Sequence, residues 1–212
     1  MRWRERSKEA ILTATAQGSP KGALLPNASM SETSRYYAEE KLRDGTTMRI
    51  RAIRPDDKER LRQHFESLSE RSIYHRFFGH KRSLNESDLH RLTELDFIDH
   101  VGLAATLTVD GAERFIGVGR YLRTSDSVPE VAFAVLDAYQ GRGIATVLLH
   151  HLARIARQSG IQQFAAFVMG DNTQMLEVFA NSGYRVSDSY EGGTVKVVLE
   201  LQTRFEGPSK SR

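Results

Sequence analysis

The chain has 212 residues, of which 40% are hydrophobic and 27% charged, a balance typical of one globular domain with a full core. It contains no cysteine, which excludes disulfide bonds, cysteine-ligated metals and a cysteine nucleophile. No window approaches about 18 uninterrupted apolar residues, so neither a membrane span nor a signal-peptide core is predicted, and a cytoplasmic protein is expected.

The two ends of the chain differ from its middle. Residues 1–43 lack sustained periodicity and contain the breaker Gly18-Ser19-Pro20, so they are interpreted as a flexible N-terminal extension with a short helix at Ser31 to Leu42. Residues 44–202 are predicted to form the folded domain, and residues 203–212 a basic C-terminal tail. The net charge is +3, and basic and aromatic residues do not interleave, so nucleic acid is not expected as a partner.

Short strands and helices alternate from residue 47 onwards. Alternating apolar and polar residues predict a first strand from Thr47 to Ile53, and Asp56 is placed as the N-cap of the helix that follows. Two more short helices are predicted to begin at Ser69 and Asn85, which are good N-caps before apolar residues at helical spacing. A hairpin follows, and its strands are His100 to Val109 and Arg114 to Leu122.

The second half of the chain continues this alternation. Its predicted strands are Glu130 to Leu136, Phe164 to Val168, Tyr184 to Ser189 and Thr194 to Leu199, and its helices are Arg142 to Arg157 and Asn172 to Asn181. The order of all these elements predicts a mixed α/β sheet with helices on both faces.

The most informative stretch is Gln140-Gly141-Arg142-Gly143-Ile144-Ala145, a glycine turn between a strand and a helix. The first N–H groups of a helix lack intrahelical partners and the helix dipole adds partial positive charge, so such a turn is a ready anion site. The two glycines let the backbone approach a phosphate closely, and Arg142 adds a positive charge. The turn matches neither a Walker A loop nor the three-glycine dinucleotide fingerprint. An ordinary strand-to-helix turn is the structural alternative.

This turn resembles the pyrophosphate loop of the GNAT N-acetyltransferases, which has the pattern Gln-x-x-Gly-x-Ala before a helix. The other segments that resemble the family are Arg54-Pro55-Asp56-Asp57, Asn172 through Gly183-Tyr184, Glu130 to Val135 and Ser67 to Phe78. The last two are most similar to the bacterial protein-lysine acetyltransferase branch. The resemblance covers about residues 46 to 200. It implies the GNAT fold, a mixed and mostly antiparallel sheet of six to seven strands with a splay between the fourth and fifth strands.

The resemblance also implies which residues bind the co-substrate, acetyl-CoA. In the family the pantetheine arm lies in the splay and pairs with the fourth strand. This implies backbone contacts from Phe133, Ala134 and Val135, with the amide near Val135 polarising the thioester carbonyl. The other implied contacts are the phosphate loop of Gln140, Gly141, Arg142, Gly143, Ile144 and Ala145, then Asn172 at the pantetheine or phosphate, and Met175 and Phe179 at the thiol end. No metal is implied.

Acetyl transfer to an amine needs a base, because a lysine amine is neutral in about one molecule in a few thousand at pH 7. Glu130 begins the strand implied to hold the thioester and matches the position that the lysine acetyltransferase branch uses, so it is the candidate general base. The structural alternative is an exposed edge-strand carboxylate. Many family members carry a tyrosine general acid seven residues after the asparagine, whereas this chain has Phe179 there. A CoA thiolate leaves readily, so a dedicated acid is dispensable.

The expected function is transfer of an acetyl group from acetyl-CoA directly to a primary amine. A protein lysine is favoured through the branch similarity, and a small polyamine or amino-sugar amine is the other acceptor class. Glu94, Asp96 and Asp99 either attract a cationic acceptor or form a polar loop. A non-catalytic acyl-CoA-binding sensor or regulatory module is the alternative function, which Phe179 supports and Glu130 opposes. The expected assembly is a monomer or homodimer without a membrane partner.

Overall fold

Eight strands form one sheet in the computed structural model, which describes residues 32–42, 44–124 and 128–204. The strands are Tyr37–Lys41 (β1), Thr47–Ala52 (β2), His100–Val109 (β3), Ala112–Leu122 (β4), Glu130–Val135 (β5), Gln163–Met169 (β6), Tyr184–Glu191 (β7) and Thr194–Arg204 (β8). Their order across the sheet is β1-β2-β3-β4-β5-β6-β8-β7, and all neighbours are antiparallel except β5 and β6. The predicted GNAT fold is confirmed, although the sheet has more strands than the six to seven expected.

Five α-helices lie between the strands of the described residues. They are Lys58–Glu66 (α1), Glu70–Phe77 (α2), Glu86–Thr93 (α3), Ile144–Gln158 (α4) and Thr173–Ala180 (α5). Short 3-10 turns occur at Glu32–Arg35, Pro55–Asp57 and Asp137–Tyr139. In the part of the chain that the structure describes, no helix combines the length and apolar character needed to cross a membrane.

The sheet buries a core on each face. On one face α4 packs through Ile144, Leu148 and Leu152, which are fully buried and recur at helical spacing. On the other face α1, α2 and α3 cover the sheet, and Leu61 and Leu89 belong to that second core. Helices on both faces were predicted from the order of the elements, and this prediction is confirmed.

The caps of the first helices show how local sequence sets their ends. Ser69 accepts from the N–H of Ser72, and Asn85 accepts from the N–H of Asp88, as predicted. The prediction of Asp56 as a cap is wrong. The N-cap residue of α1 is the buried Asp57, whose carboxylate accepts from the N–H of Arg54 at 2.8 Å and from Nη1 of Arg51 in β2 at 2.7 Å. Arg51 also binds Glu113 of β4 at 2.6 Å, so this ion-pair network fixes α1 to the sheet.

The helix predicted at Ser31 to Leu42 is wrong, because residues 37–41 form β1 and pair with β2. Two contacts with α4 hold this strand in place. Tyr36 hydrogen-bonds to Nδ1 of His151, and Glu40 accepts from Nε2 of the same ring at 3.0 Å. The adjacent Leu42 is buried in the core. The described part of the predicted extension is therefore the sheet's first strand, which accounts for the additional strand. Residues 1–31 lie outside the described residues.

Candidate functional site

The central feature of the site is the gap between β5 and β6. Within the described residues these two parallel strands pair at one position, Glu130 with Ala165, beside a backbone bond from Ala165 to Pro129 of 2.9 Å. Beyond that pair the strands diverge, so Phe133, Ala134 and Val135 present an edge of β5 that β6 does not cover. An extended ligand can add to such an edge as a strand would. This gap is the splay predicted between the fourth and fifth strands. The predicted strands were counted from β2, so the fourth and fifth of them are β5 and β6.

The glycine turn lies where β5 leads into α4. Gly141 and Gly143 have φ values of +73° and +87°, a left-handed backbone that glycine adopts without strain. Gly143 is the N-cap residue of α4, and it carries no side chain that could occupy the first N–H groups of the helix. A Cβ added at Gly141 would meet nothing within 4 Å, so the turn is open on that side. The first turn of α4, with Ile144 and Ala145, is buried beneath it.

Arg142 is held in place beside this turn. Its Nη1 binds Asp44 of the β1–β2 connection at 3.1 Å, and its guanidinium lies 5.1 Å from the centre of the Tyr139 ring. Both the arginine and the aspartate are exposed, so this ion pair adds little stability. The arrangement keeps a positive charge next to the N-terminus of α4.

Gln140 ties the turn to α2. Its Nε2 donates to the Val135 carbonyl at 3.0 Å and to Oγ of Ser72 at 3.2 Å. Asp137 adds three bonds, since it accepts from the N–H and Oγ of Ser69 and from Oγ of Ser72. The start of α2 is therefore fixed to the loop between β5 and α4. Spacing alone did not identify this connection, because it joins residues more than 60 positions apart.

Glu130 lies at the closed end of the gap, on the face that α2 covers. Side chains alternate along β5, so Glu130 shares its face with Ala134, whereas Phe133 points towards α4. Burial raises the pKa of Glu130 to about 7, and the charge of Arg76 on α2 opposes part of that rise. Arg76 is a site residue that the sequence did not indicate. The expectation of an exposed edge-strand carboxylate does not fit this half-buried position.

The C-terminal side of the gap is formed by the segment after β6. Asn172 caps α5, and its Oδ1 accepts from the N–H of Met175 at 3.2 Å. Both side chains are half-buried. His75 of α2 reaches Asp171 at 3.3 Å, so α2 contacts both sides of the gap.

Phe179 lies deeper than the sequence suggested. The residue is 2% exposed, and its ring centre lies 6.2 Å from that of Phe133. Its ring belongs to the core between α5 and β5, so Phe179 is not exposed at the thiol end where the resemblance implied a contact. The nearest tyrosines also have other contacts: Tyr139 lies under Arg142, and Tyr184 is buried beside His150.

A model of the acetyltransferase (GNAT) family matches residues 67–184. The chain belongs to the GNAT acetyltransferase family. The match includes α2, the gap, the glycine turn and Asn172, and the predicted family is thus confirmed. The chain is accordingly an N-acetyltransferase with acetyl-CoA as its acetyl donor.

Named relatives agree with this membership. An acetyltransferase of Pseudomonas aeruginosa is 31% identical over 146 residues, covering 68% of this chain and 78% of the relative. The acetyltransferase Pat of Mycolicibacterium smegmatis is 32% identical over 67% of this chain, which spans 42% of that longer protein. Among solved structures, the GNAT domain of S. lividans PAT superposes with a TM-score of 0.70 at 43% identity, covering 77% of this chain and 96% of that domain.

Proposed function

We propose that this enzyme acetylates the side-chain amine of a protein lysine, with Glu130 as its general base and the gap between β5 and β6 as its acetyl-CoA site. The observation that carries the proposal is the position of Glu130. It is a half-buried carboxylate at the closed end of the gap, with a pKa raised by burial to about 7. A base is most effective when its pKa lies near the working pH, and this carboxylate meets that condition.

The proposed reaction proceeds by direct transfer. The ammonium group of the acceptor gives a proton to the Glu130 carboxylate, and the neutral amine attacks the thioester carbonyl of acetyl-CoA. Collapse of the tetrahedral intermediate breaks the C–S bond and releases CoA as its thiolate. The second amine proton passes to that thiolate or to solvent, which leaves the neutral amide. The N–H groups of β5 that face the gap are suited to hold the oxyanion. Because a thiolate is a good leaving group, Phe179 is no obstacle to this step.

The proposed acetyl-CoA contacts follow the geometry of the gap. The pantetheine arm would lie along the uncovered edge formed by Phe133, Ala134 and Val135. The pyrophosphate would lie at the start of α4, where the N–H groups of the first turn and the Arg142 guanidinium supply positive charge. Asn172 and Met175 would border the other side. Phe179 would support the thiol end from beneath, through Phe133.

Two observations favour a protein lysine over a small polycation. The acidic residues beside β3 that could attract a polyamine are used within the fold. Asp96 accepts from three backbone N–H groups, Asp99 pairs with Arg123, and Glu94 pairs with Lys58. In addition, relatives that match most of this chain include Pat of M. smegmatis and the GNAT domain of S. lividans PAT.

The acceptor class can be tested by competition in one reaction. The enzyme is incubated with acetyl-CoA, an N-terminally blocked lysine peptide library, spermidine and glucosamine at equal amine concentration. CoA release and product masses are then measured. Acetylated lysine peptides should dominate, and a library with arginine in place of lysine should release no CoA above background. Preferential acetylation of spermidine or glucosamine would contradict the lysine assignment while leaving the acetyltransferase activity intact.

A further inference from the structure

A second cavity lies on the other side of β5 from α4, between the helices α1 to α3 and the strands β4 and β5. It is small and open to solvent, and the space in it that water can occupy is about 30 Å³. Most of its wall is apolar, with Leu61 and Phe65 from α1 and Val118 from β4. Glu130 and the glycine turn are not among its lining residues, whereas Ala134 of β5 and Arg76 of α2 are, so the cavity adjoins the acetyl-CoA site described above.

Cationic groups converge on this apolar cavity. Arg76, Lys81, Arg91 and Arg120 line it, whereas Asp88 is the one carboxylate among its lining residues. Asp88 is already shared, because Lys81 and Arg91 each bind it at 2.8 Å. Among the residues that the structure describes, no carboxylate forms an ion pair with Arg76 or Arg120.

Neither Arg76 nor Arg120 forms an ion pair among the described residues, although Arg120 is buried and Arg76 is half-buried. Arg120 is 7% exposed and donates to Nε2 of His100 at 3.2 Å. Burial lowers the pKa of His100 to about 3, so this partner is a neutral imidazole. Nη1 of Arg76 is inaccessible to solvent and has no hydrogen-bond partner among the described residues. Burial also lowers the pKa of both guanidinium groups, to about 10 for Arg76 and about 9 for Arg120, so both remain charged at pH 7.

These cationic side chains favour the binding of an anion. A buried cation without a counter-ion is unfavourable, and a hydrogen-bonding anion removes the penalty. Glu130 does not serve this purpose within the described residues, because it attracts Arg76 without forming an ion pair with it. A guanidinium matches the planar fork of a carboxylate, and the surrounding leucine and phenylalanine side chains match a short alkyl group.

We propose that the cavity binds a short-chain monocarboxylate. Its carboxylate would lie between the guanidinium groups of Arg76 and Arg120, and its alkyl end would pack against Leu61 and Phe65. This inference does not depend on the identity of the acetyl acceptor, although Arg76 also attracts Glu130 of the acetyl-CoA site. It assigns the chain a second small-molecule site beside the acetyl-CoA site.

Thermal unfolding in sodium formate, acetate, propionate and butyrate tests the inference, with sodium chloride and sodium sulfate as controls at the same ionic strength. Propionate should raise the melting temperature of the wild-type protein saturably and more than formate, because the longer chain buries more apolar surface. Chloride should produce no saturable rise. Equal effects of sulfate and propionate, or no dependence on chain length, would overturn the proposed carboxylate site.

Three variants locate the effect. Arg76→Gln and Arg120→Gln should each lose the propionate-dependent rise. Arg123→Gln is the matched control, since this arginine follows β4 directly but pairs with Asp99 outside the cavity, and it should keep the rise. If one cavity variant fails to fold, the other still decides the result. Retention of the full rise in either folded cavity variant would refute the assignment, as would its loss in Arg123→Gln.

Discussion

Replacing Glu130 by glutamine should change the pH dependence of stability in a defined direction. Burial raises the pKa of this carboxyl from 4.5 to about 7 in the folded protein. The unfolded chain therefore releases the proton at lower pH than the folded chain does. The wild-type protein loses stability as the pH rises from 4.5 through about 7, whereas glutamine stays neutral and avoids that loss.

The magnitude follows from the two pKa values. Each pH unit between them corresponds to about 1.4 kcal/mol, so the full difference is about 3 kcal/mol. Between about pH 5 and pH 8, the unfolding free energy of Glu130→Gln should therefore gain roughly 2–3 kcal/mol relative to that of the wild type. Glu130→Gln would thus be more stable than the wild type above neutral pH, although it lacks the proposed base.

Urea denaturation of the ligand-free protein at several pH values provides the assay. Glu113→Gln is the matched control, because hydrogen bonds from Arg51 lower the pKa of Glu113. The Glu113 carboxyl is ionised in both the folded and the unfolded protein above about pH 6. Glu113→Gln should therefore be less stable than the wild type by an amount that does not change with pH above that value. A free-energy difference for Glu130→Gln that stays flat from pH 5 to pH 8 would show that the carboxylate is well solvated, and would remove the reasoning for its role as a base.

Three further changes test other parts of the structure. Gly141→Asp should weaken CoA binding at least about tenfold relative to the similarly shaped Gly141→Asn, because aspartate adds a negative charge beside the phosphates. Equal CoA affinities of the two variants in calorimetry would show that the loop does not bind the phosphates. Phe179→Ala should cost about 3–5 kcal/mol of unfolding free energy, and Phe179→Tyr about 1–3 kcal/mol for a buried hydroxyl, whereas urea curves like those of the wild type would contradict the packing against Phe133. Deletion of residues 1–41 should lower the melting temperature by several degrees relative to deletion of residues 1–31. The longer deletion removes β1 and the contacts of Tyr36 and Glu40 with His151, and equal melting temperatures would mean that β1 adds no stability.

Local signals in the sequence predicted much of the fold. The caps Ser69 and Asn85 act within one helical turn, and the left-handed glycines at 141 and 143 act within one loop, so neighbouring residues suffice to recognise them. Strand β3 was predicted with its observed bounds, because its apolar run ends at the turn Asp110-Gly111. In these cases the determining contacts lie close together along the chain.

Features that depend on distant contacts escaped prediction. Strand β1 contains the polar residues Glu39, Glu40 and Lys41, and its position is set by His151, more than 100 residues away. Arg76 and Arg120 carry charges that usually lie at the surface, so their burial becomes visible only when α2 and α3 pack on β4. The depth of Phe179 likewise depends on Phe133, across the junction between α5 and β5. Periodicity identifies the inward face of a helix, but not which cavity or core that face meets.

The most direct test of the proposed mechanism is the pH dependence of kcat/KM with a lysine peptide as acceptor. If Glu130 removes the proton, kcat/KM of the wild-type enzyme should rise tenfold per pH unit up to about pH 7 and then level off. Glu130→Gln should be at least about 100-fold slower at pH 7 and should continue to rise towards the pKa of the free amine, so that its deficit shrinks as the pH increases. Parallel profiles for the two proteins, or a full rate for Glu130→Gln at pH 7, would contradict the assignment of Glu130 as the general base.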